Sequence, residues 1–530
     1  MTDRTERLRA NLAAAGIPAT EEDLAGIAAK GFLSRLADFE RLVAGVDPAA
    51  LPDYLDAASL PAPPDAPAIP AEAAPPVEAP PGSILDAAAR LRAREVSPVD
   101  LAEAALARIA ALDPRLNAFQ LVAAEAALSD AREAERELAA GRDRGPLHGL
   151  PVAVKDLFDM AGLPAAAGSK IRAGAIADED ATVVARLRAA GAVIVGRTRM
   201  SEFAYSPGSN NAHYGPTANP YDQTRDTGGS SSGSAAAVAA GMAVAALGTD
   251  TGCSIRIPAA FCGLVGLKPT WGRVSLAGGV TLSWSLDHAG PLTRCVADAA
   301  VMLAVLAGPD PRDGRTLRHA PPFEAADLTT GVAGLRVGLL RSDGGGAAMA
   351  GPEQLGAARR AAEALAAAGA EVVELDMPEL DALRVTGGAI LAMEAAAYHL
   401  PWLRGRLDDY GEFMRQRVLA AFAYEAGAFV RAQQARAGLR LAAARVFERA
   451  DVLLGPIHPG PVPALGVPAN NGLAIPFNCL GWPALTQPAG LGADGLPLSV
   501  QLAAAPWDEA TLLRAAYAVE RGLGLVSPGL

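Results

Sequence analysis

The chain has 530 residues, 51% of them hydrophobic and 20% charged, with a formal net charge of −12. This composition excludes a disordered chain, and the length accommodates roughly two to four domains. The acidic balance supplies no field for nonspecific attraction to nucleic acid or to an anionic membrane, so neither is expected as a partner.

The N-terminus, MTDRTERLRANLAAAG, is charged and lacks the apolar stretch of a secretory signal. Residues 1–58 read as three short helices: LRANLAAAG, closing at Gly16; EEDLAGIAAKGFLSRLADFERLVAG, with apolar residues at helical spacing; and DPAALPDYLDAA. From Pro61 to Pro81 the chain is dense in proline and alanine, a composition that favours an extended spacer. The expected organisation is therefore a helical segment at 1–58, a linker at 59–83 and a large domain at 84–530.

Within that domain, Ser97-Pro98-Val99-Asp100 reads as a cap with proline at the first helical position, opening a helix through Leu112. Helical and strand patterns then alternate. DAREAERELAAG precedes the apolar run LPVAVKDLF, and ATVVARLRAAG precedes AVIVG. The region from Gly334 repeats the alternation with LRVGLL, a helix through Glu363, and EVVEL. Residues 380–450 read as helical, and DVLLGP, PALTQPA and LPLSVQLAA as strands before a final helix, DEATLLRAAYAVERGL. This is an α/β pattern with a largely buried sheet. The run from Ala235 to Gly248 comes nearest to a membrane span but is short and built of small residues. Cys253, Cys262, Cys295 and Cys479 show no CxxC spacing, which suggests neither zinc nor a disulfide framework and makes a reducing cytoplasm the expected compartment.

The stretch from Gly228 to Pro258, GGSSSGSAAAVAAGMAVAALGTDTGCSIRIP, carries most of the functional information. It holds two Gly/Ser turns, each with a serine, and upstream lies a lysine, Lys155, inside the apolar run GLPVAVKDLFD. Only four lysines occur among 46 basic residues, so a lysine in such a run calls for a reason. Arginine could not serve there as a base, because its guanidinium does not deprotonate in proteins. One amine and two separately held hydroxyls suffice for a serine nucleophile without histidine. Alone, the Ser/Gly run would read as a flexible loop and Lys155 as a salt-bridged lysine. A phosphate loop would need GxxxxGK[ST], which is absent. The six histidines share no ligand spacing, and Cys253 has no flanking base to make it a nucleophile.

GGSSSGSAAAVAAG followed by GTDTGCSIRIPAAFCGLVGLKPT is similar to the defining signature of the amidase signature family. VKD, EFAYSPGSNNAHYGPTANP, SLDHAGPLTR and LPLSVQLAAAP also resemble that family, over residues 84–530. The resemblance implies a large mixed twisted sheet covered by helices on both faces. It implies Ser254 as nucleophile, Ser230 after a cis peptide as the bridging serine, and Lys155 as base. Backbone N–H groups of Thr251, Gly252, Cys253 and Ser254 would form the oxyanion hole, with Ser231 ordering the lysine and Asp250 and Arg256 pinning the turn. Glycine, sometimes asparagine, is usual where this chain has Cys253. Tyr205, Asn211 and Trp284 are candidates for the substrate pocket.

The expected activity is a cytoplasmic bacterial amidohydrolase that cleaves a C–N bond of a small amide, ureide or carbamate through an acyl-enzyme, without metal or cofactor. A homodimer is left open. The alternatives are the A subunit of a glutamine-dependent aminoacyl-tRNA amidotransferase, a carbamate-cleaving urethanase or aryl acylamidase, and a catalytically dead binding protein. Residues 1–58 resemble the small helical partner subunits that accompany carboxybiuret hydrolase and the amidotransferase A subunit. Fused in cis, such a segment would act as an intramolecular clamp.

Overall fold

A computed structural model describes residues 2–47, 82–317, 323, 328–342 and 349–524. Ser97 caps the helix Pro98–Leu116 as its sequence predicts: its Oγ accepts from Asp100 N at 3.1 Å, and the Asp100 carboxylate accepts from Ser97 N at 2.8 Å. The helix runs one turn beyond Leu112 and ends where Asn117 turns left-handed (φ 55°).

Eleven strands form one sheet: β1 (Phe119–Val122), β2 (Pro151–Lys155), β3 (Val193–Thr198), β4 (Ala245–Asp250), β5 (Val265–Lys268), β6 (His288–Thr293), β7 (Arg336–Leu340), β8 (Glu371–Leu375), β9 (Val452–Pro456), β10 (Ala484–Leu491) and β11 (Pro497–Ala504). Their order is β1-β3-β2-β4-β6-β5-β10-β11-β9-β7-β8. The sheet is mixed. Parallel groups β3-β2-β4 and β8-β7-β9 flank an antiparallel centre. β2 and β4 are buried at every position, as expected of parallel strands covered on both faces.

That arrangement positions the chemistry. Lys155 is the last residue of β2 and Asp250 the last of β4, its parallel neighbour. Both therefore lie on the carboxyl edge of the sheet, where α/β folds place their ligand sites. Between them the small-residue run is divided between the fully buried helix Ser232–Ala239 and the start of β4, so it is no continuous membrane segment. Its lack of bulk is a packing requirement: a Cβ on Gly233 would lie 2.1 Å from the Ala118 carbonyl oxygen. Among the described residues, no helix is long and apolar enough to cross a membrane.

The N-terminal part differs from expectation in one respect. The run expected as a single second helix is two, Glu21–Ala29 and Phe32–Ala44, separated at Gly31 (φ 69°). The DPAALPDYLDAA helix after Asp47, and all of the 59–83 spacer but Gly82 and Ser83, lie outside the described residues. The helices that are described dock on the segment 380–424. Arg415 pairs with buried Asp23 at 2.8 Å, Asn11 donates to the Phe422 carbonyl at 2.7 Å, and Phe39 meets Tyr424 edge-on at 5.3 Å. Leu8, Leu12, Leu24 and Ile27 join the same hydrophobic core as the sheet.

Candidate active site

Lys155 Nζ is fully buried and reaches three hydroxyls: Ser230 Oγ at 2.7 Å, Thr249 Oγ1 at 2.8 Å and Ser231 Oγ at 2.9 Å. Burial pushes the amine down to about 7, against the pull of Asp250 and Asp287. Neither carboxylate is its ion-pair partner. Asp250 is engaged by Arg256, and Asp287 accepts from Thr251 Oγ1 at 2.6 Å. Hydroxyls both give and accept hydrogen bonds, so this shell satisfies the ammonium with three acceptors and the neutral amine with two acceptors and a donor.

Ser230 follows a cis Gly229–Ser230 peptide. Its turn is packed so closely that a Cβ on Gly229 would lie 2.0 Å from the Gly208 carbonyl oxygen. Ser254 sits in the facing turn, where its carbonyl accepts from Ser231 N at 3.3 Å. The two turns are thus in backbone contact. The Ser254 hydroxyl makes no hydrogen bond to Ser230 in this rotamer, so the structure brings together Lys155 and Ser230 directly and Ser254 through the backbone.

The backbone N–H groups of Thr251, Gly252, Cys253 and Ser254 have no acceptor among the described residues. Four consecutive free donors form a concavity suited to an anion. The turn is held from behind by Arg256, whose Nε and Nη2 grip Asp250 at 2.9 and 3.0 Å. Arg256 Nη1 also meets Gln501 at 2.5 Å, and Asn478 Nδ2 binds Asp250 Oδ1 at 2.8 Å. Burial alone would raise the Asp250 carboxyl; the Arg256 guanidinium overcomes this and holds it well below the ordinary range.

Cys253 does not have a positive φ, so its backbone suits a non-glycine residue. Its side chain packs with Ile257, Phe261 and Ile457, and its thiol faces the Gly229 carbonyl at 3.7 Å. Burial pushes that thiol up to about 12, so it is protonated at neutral pH.

Beside the turns lies a cavity of about 740 Å³. Pro207, Asn471 and Ile475 line it and also touch the serine turns: Gly229 N donates to Pro207 O at 3.0 Å, and a Cβ on Gly252 would lie 3.3 Å from Asn471 Nδ2 and 3.5 Å from Ile475. Four cations, Lys30, Arg35, Arg384 and Arg417, line the same cavity, against one carboxylate, Asp38.

The three pocket candidates from sequence fall elsewhere. Tyr205 is buried behind the wall and carries Arg417 on its ring face at 4.0 Å. Asn211 is not a wall residue: its amide ties Gly168 O and Met200 O at 2.8 and 2.9 Å, and its oxygen accepts from His213 N. A loop asparagine, offering donors and an acceptor together, has been recruited to fix its own turn. Trp284 is 45% exposed and leans edge-on against Tyr398, away from the cavity-lining residues. Thr249 and Arg417 were missed. Thr249 stands beside Asp250 within the quoted GTDTGCS motif, whereas nothing in FMRQRVL distinguishes Arg417 from a solvated helical arginine.

The Amidase family model matches residues 100–513. This chain belongs to the amidase family. The A subunit of glutamyl-tRNA(Gln) amidotransferase from Anaeromyxobacter dehalogenans is 42% identical over 472 residues, covering 83% of this chain and 96% of that protein. A chain of a vestigial protein complex that reveals the evolutionary origins of an s-triazine catabolic enzyme superposes with a TM-score of 0.79 at 37% identity, covering 84% of this chain and 99% of its own. Peptide amidase from Stenotrophomonas maltophilia gives a TM-score of 0.74 at 34% identity, covering 85% of this chain and 99% of its own. Membership makes the chain an enzyme of carbon–nitrogen bond chemistry, by hydrolysis or by amide transfer, on the mixed α/β scaffold described above.

Proposed function

We propose that the chain cleaves the C–N bond of a small amide that carries an anionic group, through an acyl-enzyme on Ser254. The observation that carries this reading is the hydroxyl shell of Lys155, a buried amine near neutrality with an exchangeable proton partner on Ser230. Ser254 Oγ turns toward Ser230 and attacks the carbonyl carbon. Its proton passes to Ser230, and the Ser230 proton passes to Lys155 Nζ. The four free N–H groups at Thr251–Ser254 face the developing oxyanion, each such donor being worth about 3–4 kcal/mol. The relay then reverses, protonating the nitrogen as its bond to carbon breaks. Water enters by the same route to release the acid and regenerate Ser254.

The cationic lining of the cavity supports a substrate with a carboxylate. A second reading, ammonia release from glutamine for amide transfer to a tRNA-bound acid, is favoured by the names of relatives such as the Anaeromyxobacter protein, and these support it better than a free-standing hydrolase. Against it, glutamine also carries an ammonium, and the lining carboxylate, Asp38, is already paired with Arg41. Ammonia release by the purified chain from carboxylate-bearing amides, with and without glutamine as competitor, separates the two. Turnover of glutamine alone, accelerated by a tRNA-binding partner, supports transfer. Turnover of other amides, indifferent to glutamine, supports hydrolysis. Failure of Ser254→Ala to abolish either would overturn both.

A further inference from the structure

The N-terminal helices do more than cover the catalytic domain. Of the four cations around the cavity, two have carboxylate partners: Lys30 with Glu412 at 2.7 Å, and Arg384 with Asp381 at 2.5 Å. Arg35 and Arg417 have none within ion-pair distance among the described residues. They come from distant parts of the chain, Arg35 from Phe32–Ala44 and Arg417 from Glu412–Leu419. They are close enough that Arg35, after burial itself, helps to push the Arg417 guanidinium down to about 10, which leaves it cationic at neutral pH.

The Arg417 head and the helix that carries Arg35 are both placed by their surroundings. Arg417 stacks on Tyr205 and donates to the Tyr205 carbonyl at 2.8 Å, which leaves its remaining N–H groups for the cavity. The helix bearing Arg35 is clamped on either side: Phe32 meets Phe413 edge-on at 6.0 Å and Phe39 meets Tyr424 at 5.3 Å. Arg35 falls between Phe32 and Phe39 along that helix, three residues from one and four from the other, and lines the cavity together with Phe32. Two like charges at one cavity, neither of them ion-paired among the described residues, repel each other, and an anion between them removes that repulsion. Paired guanidiniums match the planar, bidentate geometry of a carboxylate.

We propose that Arg35 is a substrate-binding residue, forming with Arg417 a two-arginine clamp for a substrate carboxylate, so that the N-terminal segment completes the substrate site. This rests on the reading of the cavity as that site. Its test is independent of turnover: equilibrium binding of succinamate and of its uncharged isostere butyramide to the Ser254→Ala protein, with and without Arg35→Met. Arg35 is exposed on a helix that methionine also favours, so the substitution leaves the fold in place. The expected result is that succinamate binds at least tenfold more tightly than butyramide, that Arg35→Met removes most of that preference, and that Arg35→Lys restores part of it. Equal binding of the two compounds, or a preference unmoved by Arg35→Met, overturns the clamp. Loss of the amidase reading would appear separately, as absence of Ser254 labelling by a fluorophosphonate on the otherwise unaltered chain.

Discussion

Lys155 and Lys268 are both fully buried on strands of the same sheet, and burial pushes both amines down, Lys268 well below the usual lysine range. Their partners differ. Lys155 meets three hydroxyls, whereas Lys268 meets the carbonyl oxygens of Pro269 and Trp482. A neutral amine gives two N–H bonds to two carbonyls and is satisfied, but a carbonyl has no proton to return. Desolvation neutralises a lysine; a hydroxyl neighbour makes it a base.

The largest effect that would break this comparison is on acylation. Lys155→Ala should slow fluorophosphonate labelling of Ser254 by about 10³-fold, within the range of general-base contributions. The exposed Lys170→Ala should leave the rate within about twofold. Equal losses would remove the distinction. Asp250→Ala should come next. It strands the buried Arg256 guanidinium and should cost about 3–5 kcal/mol in denaturant unfolding. Lys268→Met sharpens the contrast: it should change the melting temperature while leaving the pH profile of acylation in place.

The smallest effect is on stability against pH. Between about 7 and 10.5 the folded Lys155 binds fewer protons than the unfolded chain, so its contribution to stability rises with pH across that window. The slope is at most about 1.4 kcal/mol per pH unit, and Lys155→Met should remove that share, as read from unfolding curves at pH 6 to 9.

How much of this was legible in the sequence follows the range of each interaction. Lys155, Ser230 and Ser254 lie in runs whose local constraints are severe, and the GGSSSGS and GTDTGCS turns announce themselves. Strands β4, β5 and β6 did not, because AALGTD, VGLK and HAGPLT lack the β-branched alternation that marks a strand, and burial on both faces determines them instead. The helix break at Gly31 was hidden within a continuous apolar period. The cavity was the least legible part. Arg35 and Arg417 line one cavity only because the N-terminal helices fold back onto Glu412–Leu419, and no local pattern encodes that return.

The chain's four lysines make one measurement decisive. Uniform 15N-lysine labelling gives a spectrum of four Nζ resonances, with Lys155 assigned by its loss in Lys155→Met. The account expects that resonance to titrate near pH 7, coincident with the acidic limb of Ser254 acylation. An Nζ of Lys155 that stays protonated to about pH 10, while Ser254 still acylates at pH 7, would contradict it.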